Sequence, residues 1–539
     1  MRTYQHKKAF ALSKLFAVLF SVGFFIGGCG EPRPPEHRPA AELGITIGSL
    51  VEVFSPDVVA VEGYGLVGGL EGTGSGECPP AIRAYLRRYI RQQLPEHKVD
   101  PDRFINSRNT AVVLLRGIMP VAVSKKQYFD VRVVAHPDTR TTSLKGGRLY
   151  QAELKSARTL DMTTKALATV KGPVFIDTMN SATSENKAGY ILGGGIVLDE
   201  YKVIADLLRP DFRTAAFIRD KLNERFGDGT AKALSESRIE LRVPANYREQ
   251  KERFISVVRA MYLSDAPEIN TKRIEGFVGR LGGSGDKEQS EIALEAIGNK
   301  CLTRLAVLME APNEEVRLRA GRCMLNLGSD GGLGALRRIA MDGASPYRTE
   351  ALEAITLAAS RNDAAGISRR VLRDPDFDIR LAAYESLRKL DDISVMRTVV
   401  AGDFYLEQIT QTRYKAVYVS RSGQPRIVLF GAPIRCGEDI FVESADGNVT
   451  LNARPGAKYV TVIRKMAQRP DIPPIQFKSS FELSDIIQTL CETAIVKEGF
   501  AVRPGLNVSY ADAIYILKQM CEKGMVDAEF RAGPLPKID

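Results

Sequence analysis

The chain has 539 residues, which at ~150 residues per domain leaves room for three or four domains. Its composition, 44% hydrophobic and 26% charged, is typical of globular proteins and excludes a mainly disordered chain, a collagen-like chain and a small disulfide scaffold. The formal net charge falls from +10 to +6 when the four basic residues of the first 28 are removed. This mild basicity suits an acidic partner or surface and does not require nucleic acid.

Residues 1–28 have the features of a lipoprotein signal peptide. An apolar run from Leu15 to Ile26 follows a basic start, and its length of about 12 residues is that of a signal-peptide core rather than a membrane-spanning helix. The sequence Ile-Gly-Gly-Cys that ends at Cys29 resembles a bacterial lipobox, in which the cysteine is lipidated. We therefore expect a lipid on Cys29, with an ordinary secretion signal as the alternative, and a Pro-rich tether over 29–45.

Export would place the protein in the periplasm. Gly30 rather than Asp follows Cys29, which by resemblance to enteric lipoproteins favours the outer membrane. Six more cysteines follow, and none has the C-x-x-C spacing of a zinc or redox site. In an oxidising compartment Cys301 with Cys323, or Cys491 with Cys521, could form a disulfide, and free buried thiols are an equal alternative.

Residues 46–283 mix strand and helix patterns, which indicates an α/β or α+β domain. The β-rich segments are 58–61, 111–115 and 129–134. The helical patterns are 81–93, 214–226 and 249–261.

Residues 284–394 contain a repeat. Three segments align with spacings of 31 and 32 residues, placing Arg317, Arg348 and Arg380 at one position, Ala320, Ala351 and Ala383 at a second, and Met324, Ile355 and Leu387 at a third. A small residue with an apolar residue four positions on is typical of a close helix–helix contact. The pattern resembles the HEAT family of helical repeats, whose units stack because none can bury its apolar face alone.

Two shorter regions complete a multidomain α+β chain. Residues 395–475 form a β-rich module, with strand patterns at 414–419, 426–430 and 458–463. Residues 476–539 form a C-terminal module with helical patterns at 483–493 and 510–522 and a short strand near 528–530.

One motif has a misleading form. Residues 63–68 read G-Y-G-L-V-G, the spacing of a dinucleotide-binding loop. The third glycine of such a loop should begin a helix, but four more glycines occur between 69 and 76, and arginines rather than an acid lie about 20 residues on. We interpret the run as a glycine-rich turn where backbones approach closely. The four histidines and the serines form no recognisable triad, so we expect no catalysis, cofactor or metal.

The same run resembles the opening signature of the bacterial flagellar P-ring protein family. Residues 61–74 read V-E-G-Y-G-L-V-G-G-L-E-G-T-G. The signature positions are Gly63, Tyr64, Gly65, Gly68, Gly69, Gly72 and Gly74. Further segments follow in the family's order at 109–113, 129–133, 141–149, 208–218 and 239–244. The resemblance covers 46–270 well and 480–532 weakly.

The resemblance implies a P-ring-like α/β N-terminal region and a structural role. Subunits of this family assemble into a periplasmic ring around the flagellar rod at the peptidoglycan layer, without catalysis or cofactor. The lipobox and the inserted block 285–465 depart from the family pattern. We therefore expect a lipid-anchored, P-ring-like basal-body component that contacts rod and outer-membrane ring proteins. A non-flagellar envelope lipoprotein scaffold is the alternative, and an envelope enzyme is a remote third.

A basic helix face is the candidate contact surface. Arg83, Arg87 and Arg91 recur every four residues, whereas Ile82, Tyr85, Leu86 and Tyr89 would form the buried side of the helix 81–93. Lys125, Lys126, Lys145 and Arg148 would extend the positive surface toward an acidic partner, either the rod or an anionic cell-wall polymer. A solvated helix face without a partner is the competing interpretation.

Overall fold

The structure is a computed structural model. It describes residues 44–54, 58–93, 100–120, 126–157, 164–179, 186–198, 202–465, 473–493, 495–497, 500–503 and 505–538. Cys29 and Lys125 lie outside the described residues. Within these ranges a β-rich first part, a helical middle and a further β-rich part follow one another, which confirms the predicted multidomain α+β class.

The first part of the chain, up to residue 260, holds two units. Its elements are β1 (Val51–Phe54), β2 (Val58–Gly68), α1 (Pro80–Gln93), α2 (Pro101–Ile105), β3 (Ala111–Pro120), β4 (Tyr128–Ala135), β5 (Arg148–Ser156), β6 (Ala168–Pro173), β7 (Ala188–Val197), β8 (Val203–Leu207), α3 (Phe212–Phe226), β9 (Ala231–Ala233), β10 (Arg238–Leu241) and α4 (Lys251–Ala260). The predicted helices correspond to α1, α3 and α4, with bounds that differ by one or two residues.

A closed antiparallel barrel with the order β2-β3-β4-β7-β6-β5 forms the first unit. Its interior is filled by alternating apolar side chains such as Val113, Leu115, Val131 and Val133, all fully buried. The sequence predicted individual strands but not their closure. Strands of this kind need partners on both edges, and a closed barrel supplies them.

The second unit is the antiparallel sheet β1-β8-β10-β9, which packs against α3 and α4. Asp211 caps α3, since its Oδ2 accepts a hydrogen bond from the Thr214 amide at 2.8 Å. The helix then buries Ala215, Ile218 and Leu222. Antiparallel pairing throughout makes the region an α+β rather than an α/β structure.

A stack of helices follows. Its members are α5 (Pro267–Gly282), α6 (Lys287–Ile297), α7 (Leu302–Val307), α8 (Glu314–Asn326), α9 (Leu333–Met341), α10 (Arg348–Ala358), α11 (Arg361–Val371) and α12 (Phe377–Lys389). The apolar positions of the predicted repeat are buried, and Ala320, Ala351 and Ala383 are fully inaccessible. The repeated arginine bonds loop carbonyls: Arg317 donates to Ala311 O at 2.7 Å, and Arg380 donates to Asp374 O at 2.8 Å. Assignment to the HEAT family stays a prediction.

The remaining elements form one folded module. They are β11 (Met396–Val400), β12 (Phe404–Ile409), β13 (Ala416–Val419), β14 (Arg426–Phe430), β15 (Ile440–Glu443), β16 (Val449–Ala453), β17 (Val460–Arg464), β18 (Ile475–Ser479), α13 (Leu483–Cys491), β19 (Ile495–Lys497), β20 (Phe500–Arg503), α14 (Tyr510–Glu522) and β21 (Glu529–Ala532). The sheets are β11-β12-β14-β13-β21, β15-β16-β17-β18 and the pair β19-β20. Because β21 pairs in parallel with β13, the end of the chain completes a sheet begun more than 100 residues earlier.

This module packs back onto the barrel. Phe175, Met179 and Leu192 of the barrel region belong to the same apolar core as α13 and α14. The Asp130 carboxylate of β4 accepts hydrogen bonds from the Gly193 amide at 2.7 Å and the Gly423 amide at 2.8 Å. The two parts of the chain that the helical stack separates in sequence are therefore in direct contact.

Of the two alternatives for the cysteines, disulfides or free thiols, the structure contains free thiols. Cys78, Cys301, Cys323, Cys436, Cys491 and Cys521 are all free thiols. Cys301 and Cys323 both lie against α6, where their thiols donate to the carbonyls of Leu294 and Glu291 at 3.3 and 3.8 Å. Burial raises the pKa of Cys436 and of Cys521 to about 12, which keeps these thiols protonated and unreactive at neutral pH.

Candidate partner-contact surface

The signature glycines occupy positions where a side chain does not fit. Gly63 and Gly65 lie in β2, and a Cβ on Gly63 would lie 2.3 Å from the Glu153 carbonyl oxygen of β5. A Cβ on Gly65 would meet Leu149 and Leu115 at 3.0 and 3.2 Å. The register between β2 and β5 is irregular here, so the two backbones approach more closely than a regular ladder allows.

The second half of the signature leaves the strand. Gly69 and Gly72 have φ values of +77° and +80°, a region that favours glycine. A Cβ on Gly74 would lie 2.2 Å from the Thr110 carbonyl oxygen. A Cβ on Gly68 would lie 2.5 Å from the Tyr150 ring, and the Tyr64 ring is tilted against His136 with centroids 6.1 Å apart. The structure confirms the predicted close approach of backbones along the glycine run, but only the residues after Gly68 form a turn.

Helix α1 lies on the outside of the barrel because of its apolar side. Pro80 occupies its first position, and Ile82, Leu86 and Ile90 pack against Leu66 and Val112 of the barrel strands. The helix itself contains no acidic residue. Its solvent side therefore carries positive charge only.

The three predicted arginines have different surroundings. Arg83 is half-buried and donates to the Asn106 side chain at 2.8 Å and to the Gly76 carbonyl at 2.7 Å. Arg87 forms an ion pair with Asp102 of α2 at 3.0 Å. Arg91 is exposed. Arg83 thus anchors the glycine-rich loop, and the solvated part of the stripe begins at Arg87.

Arg88 completes the exposed surface, although the four-residue spacing did not include it. Together with Ala84, Arg87, Arg91 and Gln92 it lines a shallow depression of about 620 Å³. Arg88 and Arg91 have no ion-pair partner among the residues that the structure describes. We call these five residues the α1 surface.

Lys145 and Arg148 join the barrel to the folded module that follows the helical stack. Lys145 Nζ lies 2.8 Å from Asp446 and 3.0 Å from Asp512. Burial by itself would lower the pKa of Lys145, but the two carboxylates outweigh it and raise the pKa. Arg148 forms an ion pair with Asp403 at 2.6 Å. Both cations therefore already have partners within the chain.

Lys126 is exposed and lies apart from this contact. Its φ is +73°, and its amide donates to the Val197 carbonyl at 3.0 Å at the end of β7. The structure does not join Lys126 to the α1 surface as one site. The partner-contact role of all seven predicted residues stays a prediction.

The described residues meet the requirements of neither a metal site nor a membrane-spanning helix. Among the described residues, no group of three or more His, Cys, Asp or Glu side chains could hold a metal ion. No helix in the described part of the chain has both the length and the apolar composition to cross a bilayer. His136 accepts a hydrogen bond from the Asp138 amide at 3.3 Å and lies 3.8 Å from its carboxylate.

Fold and surface together define a multidomain α+β protein whose barrel carries a helix with a basic solvent face. Residues 47–272 match the sequence profile of the flagellar P-ring protein family. The match includes the barrel, the sheet β1-β8-β10-β9 and both helices packed on that sheet. It confirms the resemblance seen in the glycine run, whereas the weaker resemblance over 480–532 stays a prediction.

Several curated proteins are similar to this chain. Flagellar P-ring protein 1 of Photobacterium profundum is 32% identical over 222 residues, which cover 38% of this chain and 56% of that protein. The flagellar P-ring protein of Thermotoga maritima is 31% identical over 211 residues, covering 36% and 60%. That of Aquifex aeolicus is 28% identical over 295 residues, covering 50% and 77%. The chain thus spans little more than half the length of the first two relatives.

Proposed function

We propose that this chain is a structural subunit of a P-ring-like ring in the bacterial flagellar basal body, around the rod. The match of residues 47–272 carries this proposal, because it covers a complete barrel whose signature glycines have a structural reason at each position. The named relatives are flagellar P-ring proteins. Their role is structural, so the proposal includes neither catalysis nor a cofactor.

The proposed location is the periplasm, with a lipid on Cys29 in the outer membrane. More than one acyl chain on this cysteine would give firm binding, at roughly 0.8 kcal/mol per buried methylene. Cys29→Ser should move the protein from the membrane fraction to the soluble periplasm. If the Ser variant still sediments with outer membrane at high salt, the anchor lies elsewhere.

The helical stack and the β-rich module are proposed to add contacts to a P-ring-like subunit. Both follow the matched region in sequence, and the β-rich module contacts the barrel at Lys145, Arg148 and Asp130. A stack of helices offers an extended surface, suited to outer-membrane ring proteins or to the cell wall. Peptidoglycan binding would show as sedimentation with purified cell-wall sacculi.

The direct test is a deletion strain complemented with a fluorescently tagged full chain. We expect loss of swimming on deletion, restored swimming on complementation, and fluorescence at the bases of flagella. Uniform envelope fluorescence with normal swimming in the deletion strain would instead favour the alternative, a non-flagellar envelope lipoprotein that uses the P-ring domain as a scaffold.

A further inference from the structure

We propose that the α1 surface of one copy of this chain binds the outer face of strand β15 in a neighbouring copy. This inference rests on the proposed function, since it names the partner of the contact surface in a ring. It assigns to the inserted β-rich module a part of the contact between subunits.

The α1 surface has the charge and shape for an acidic segment. Arg87, Arg88 and Arg91 line a shallow depression on one face of α1, and of these three arginines only Arg87 has an ion-pair partner among the described residues. An incoming carboxylate can therefore bind Arg88 or Arg91 without displacing an existing pair. The depression has an apolar floor at Ala84, which leaves room for a larger side chain.

Strand β15 presents the complementary surface. It is an edge strand of its sheet, and its side chains alternate, so that Ile440 and Val442 are buried while Phe441 and Glu443 face outward. Phe441 is 56% exposed and therefore offers apolar area to a partner.

Acidic residues flank this phenylalanine in the chain. Glu438 and Asp439 precede the strand and are exposed, and neither they nor Glu443 form an ion pair with a described residue. Arg435 lies over the Phe481 ring at 6.0 Å, and the exposed Arg454 follows β16 beside Asp439 without forming an ion pair with a described residue. Glu438, Glu443 and Phe441 thus form a surface that complements Arg88 and Arg91, the two α1 arginines without an ion-pair partner among the described residues.

A second copy is the occupant that fits both surfaces at once. The α1 surface lies on the barrel and the β15 surface lies in the β-rich module, so one chain carries two different complementary patches. Contacts between two different patches are heterologous, and they generate rings when the rotation between copies closes. A rod protein or an anionic glycan could match the α1 surface but would leave the β15 surface without a role.

The test uses full-length chains with two different epitope tags, co-expressed in the envelope and extracted with mild detergent at low salt. One variant carries Arg88→Glu and Arg91→Glu, and the other carries Glu438→Lys and Glu443→Lys. Each variant alone has like charges on both surfaces, so co-purification of its two tagged copies should fall at least tenfold. A mixture of the two variants restores opposite charges at every contact and should recover co-purification.

A matched control carries Arg370→Glu and Arg373→Glu on the helical stack, with the same change in charge at exposed positions. We expect wild-type co-purification for this control, and a decrease for the wild type at high salt because exposed charges are screened within ~8 Å at physiological salt. Failure of the mixture to recover would assign the α1 surface to another partner and overturn the inference. Wild-type copies that do not co-purify would overturn it as well.

Flagellar localisation of the same wild-type chain distinguishes a failure of the proposed contact between copies from a failure of the proposed function. Localised chains that fail the mixing test contradict only the proposed contact between copies. Chains that associate through these surfaces but do not localise to flagella contradict the proposed function.

Discussion

Arginine occurs in two contrasting regions of this molecule: the joints at the ends of the helical stack and the α1 surface. At the first joint Glu291 of α6 is fully buried, with Arg253 at 2.6 Å, Arg322 at 2.6 Å and Arg319 at 3.3 Å. At the second joint Glu407 of β12 is also fully buried, and it pairs with Arg388 and Arg397. On the α1 surface, Arg88 and Arg91 have no such partner among the described residues.

The difference shows how one residue type serves two purposes. Each buried glutamate has lost its water and needs its cations, so the joints fix how the stack meets its neighbours. Burial by itself would raise the pKa of Glu291, but the surrounding arginines outweigh it and lower the pKa. Exposed arginines keep their hydration and remain available to a partner.

The largest effect should come from breaking the first joint. Glu291→Gln leaves Arg319 and Arg322 without their buried counter-charge, and we expect a loss of about 3–5 kcal/mol in the free energy of unfolding. Urea denaturation followed by circular dichroism measures it. The control is Glu310→Gln, whose pair with Arg338 is exposed, with an expected loss of about 0–1 kcal/mol. Equal losses in both variants would contradict the contrast between buried and exposed pairs.

A second substitution tests whether the stack also depends on apolar contacts. Leu387 of α12 is fully buried at a repeated core position. Leu387→Ala should cost roughly 2–5 kcal/mol through lost burial and the cavity left behind. Ile393→Ala, at a side chain that is 88% exposed, should stay within about 0.5 kcal/mol of wild type. A loss below ~0.5 kcal/mol at Leu387 would show that the repeat register is wrong.

The barrel that carries the α1 surface can be probed through its glycines. Gly63→Ala places a methyl group against the Glu153 carbonyl and should destabilise the protein by about 1–3 kcal/mol. Gly276→Ala, in the interior of α5 with open space around its Cβ, should have the opposite sign and stabilise by roughly 0.5–1 kcal/mol. Thermal unfolding of both variants compares them. A stabilising Gly63→Ala would refute the steric reason for the signature.

The smallest effect should come from Asp392, a carboxylate that is neither fully buried nor fully exposed. Burial by itself would raise the pKa of Asp392, but hydrogen bonds from Arg369 and Ser394 lower it to about 2. A lowered pKa stabilises the fold above the ordinary pKa of 3.8, and this contribution is lost as the pH falls toward 2. Asp392→Asn should therefore cost roughly 1–2 kcal/mol at pH 7, and the difference from wild type should shrink below pH 4. A pH-independent difference would contradict the ionic origin.

Local patterns in the sequence were sufficient for several elements. The helix α14 and the strand β14 have the predicted bounds, because apolar periodicity and flanking turns determine them locally. The repeat identified the buried core of the stack, since stacked units share one pattern. The glycine run pointed to the family whose profile matches residues 47–272.

Features that depend on distant pairing were not predictable in this way. Closure of the barrel requires β2 to pair with β5, about 90 residues later, and no local pattern records it. For the same reason the sequence did not show that Lys145 meets Asp446 and Asp512, or that Arg83 binds the Gly76 carbonyl. A charge count treats these cations like Arg91, and only their surroundings distinguish them.

The most direct test of the central claim is electron cryotomography of the cell envelope, with averaging of the flagellar basal bodies. The proposed function predicts that deletion of this chain removes a periplasmic ring of density around the rod, and that the full chain restores it. Basal bodies with an unchanged periplasmic ring in the deletion strain would contradict the claim.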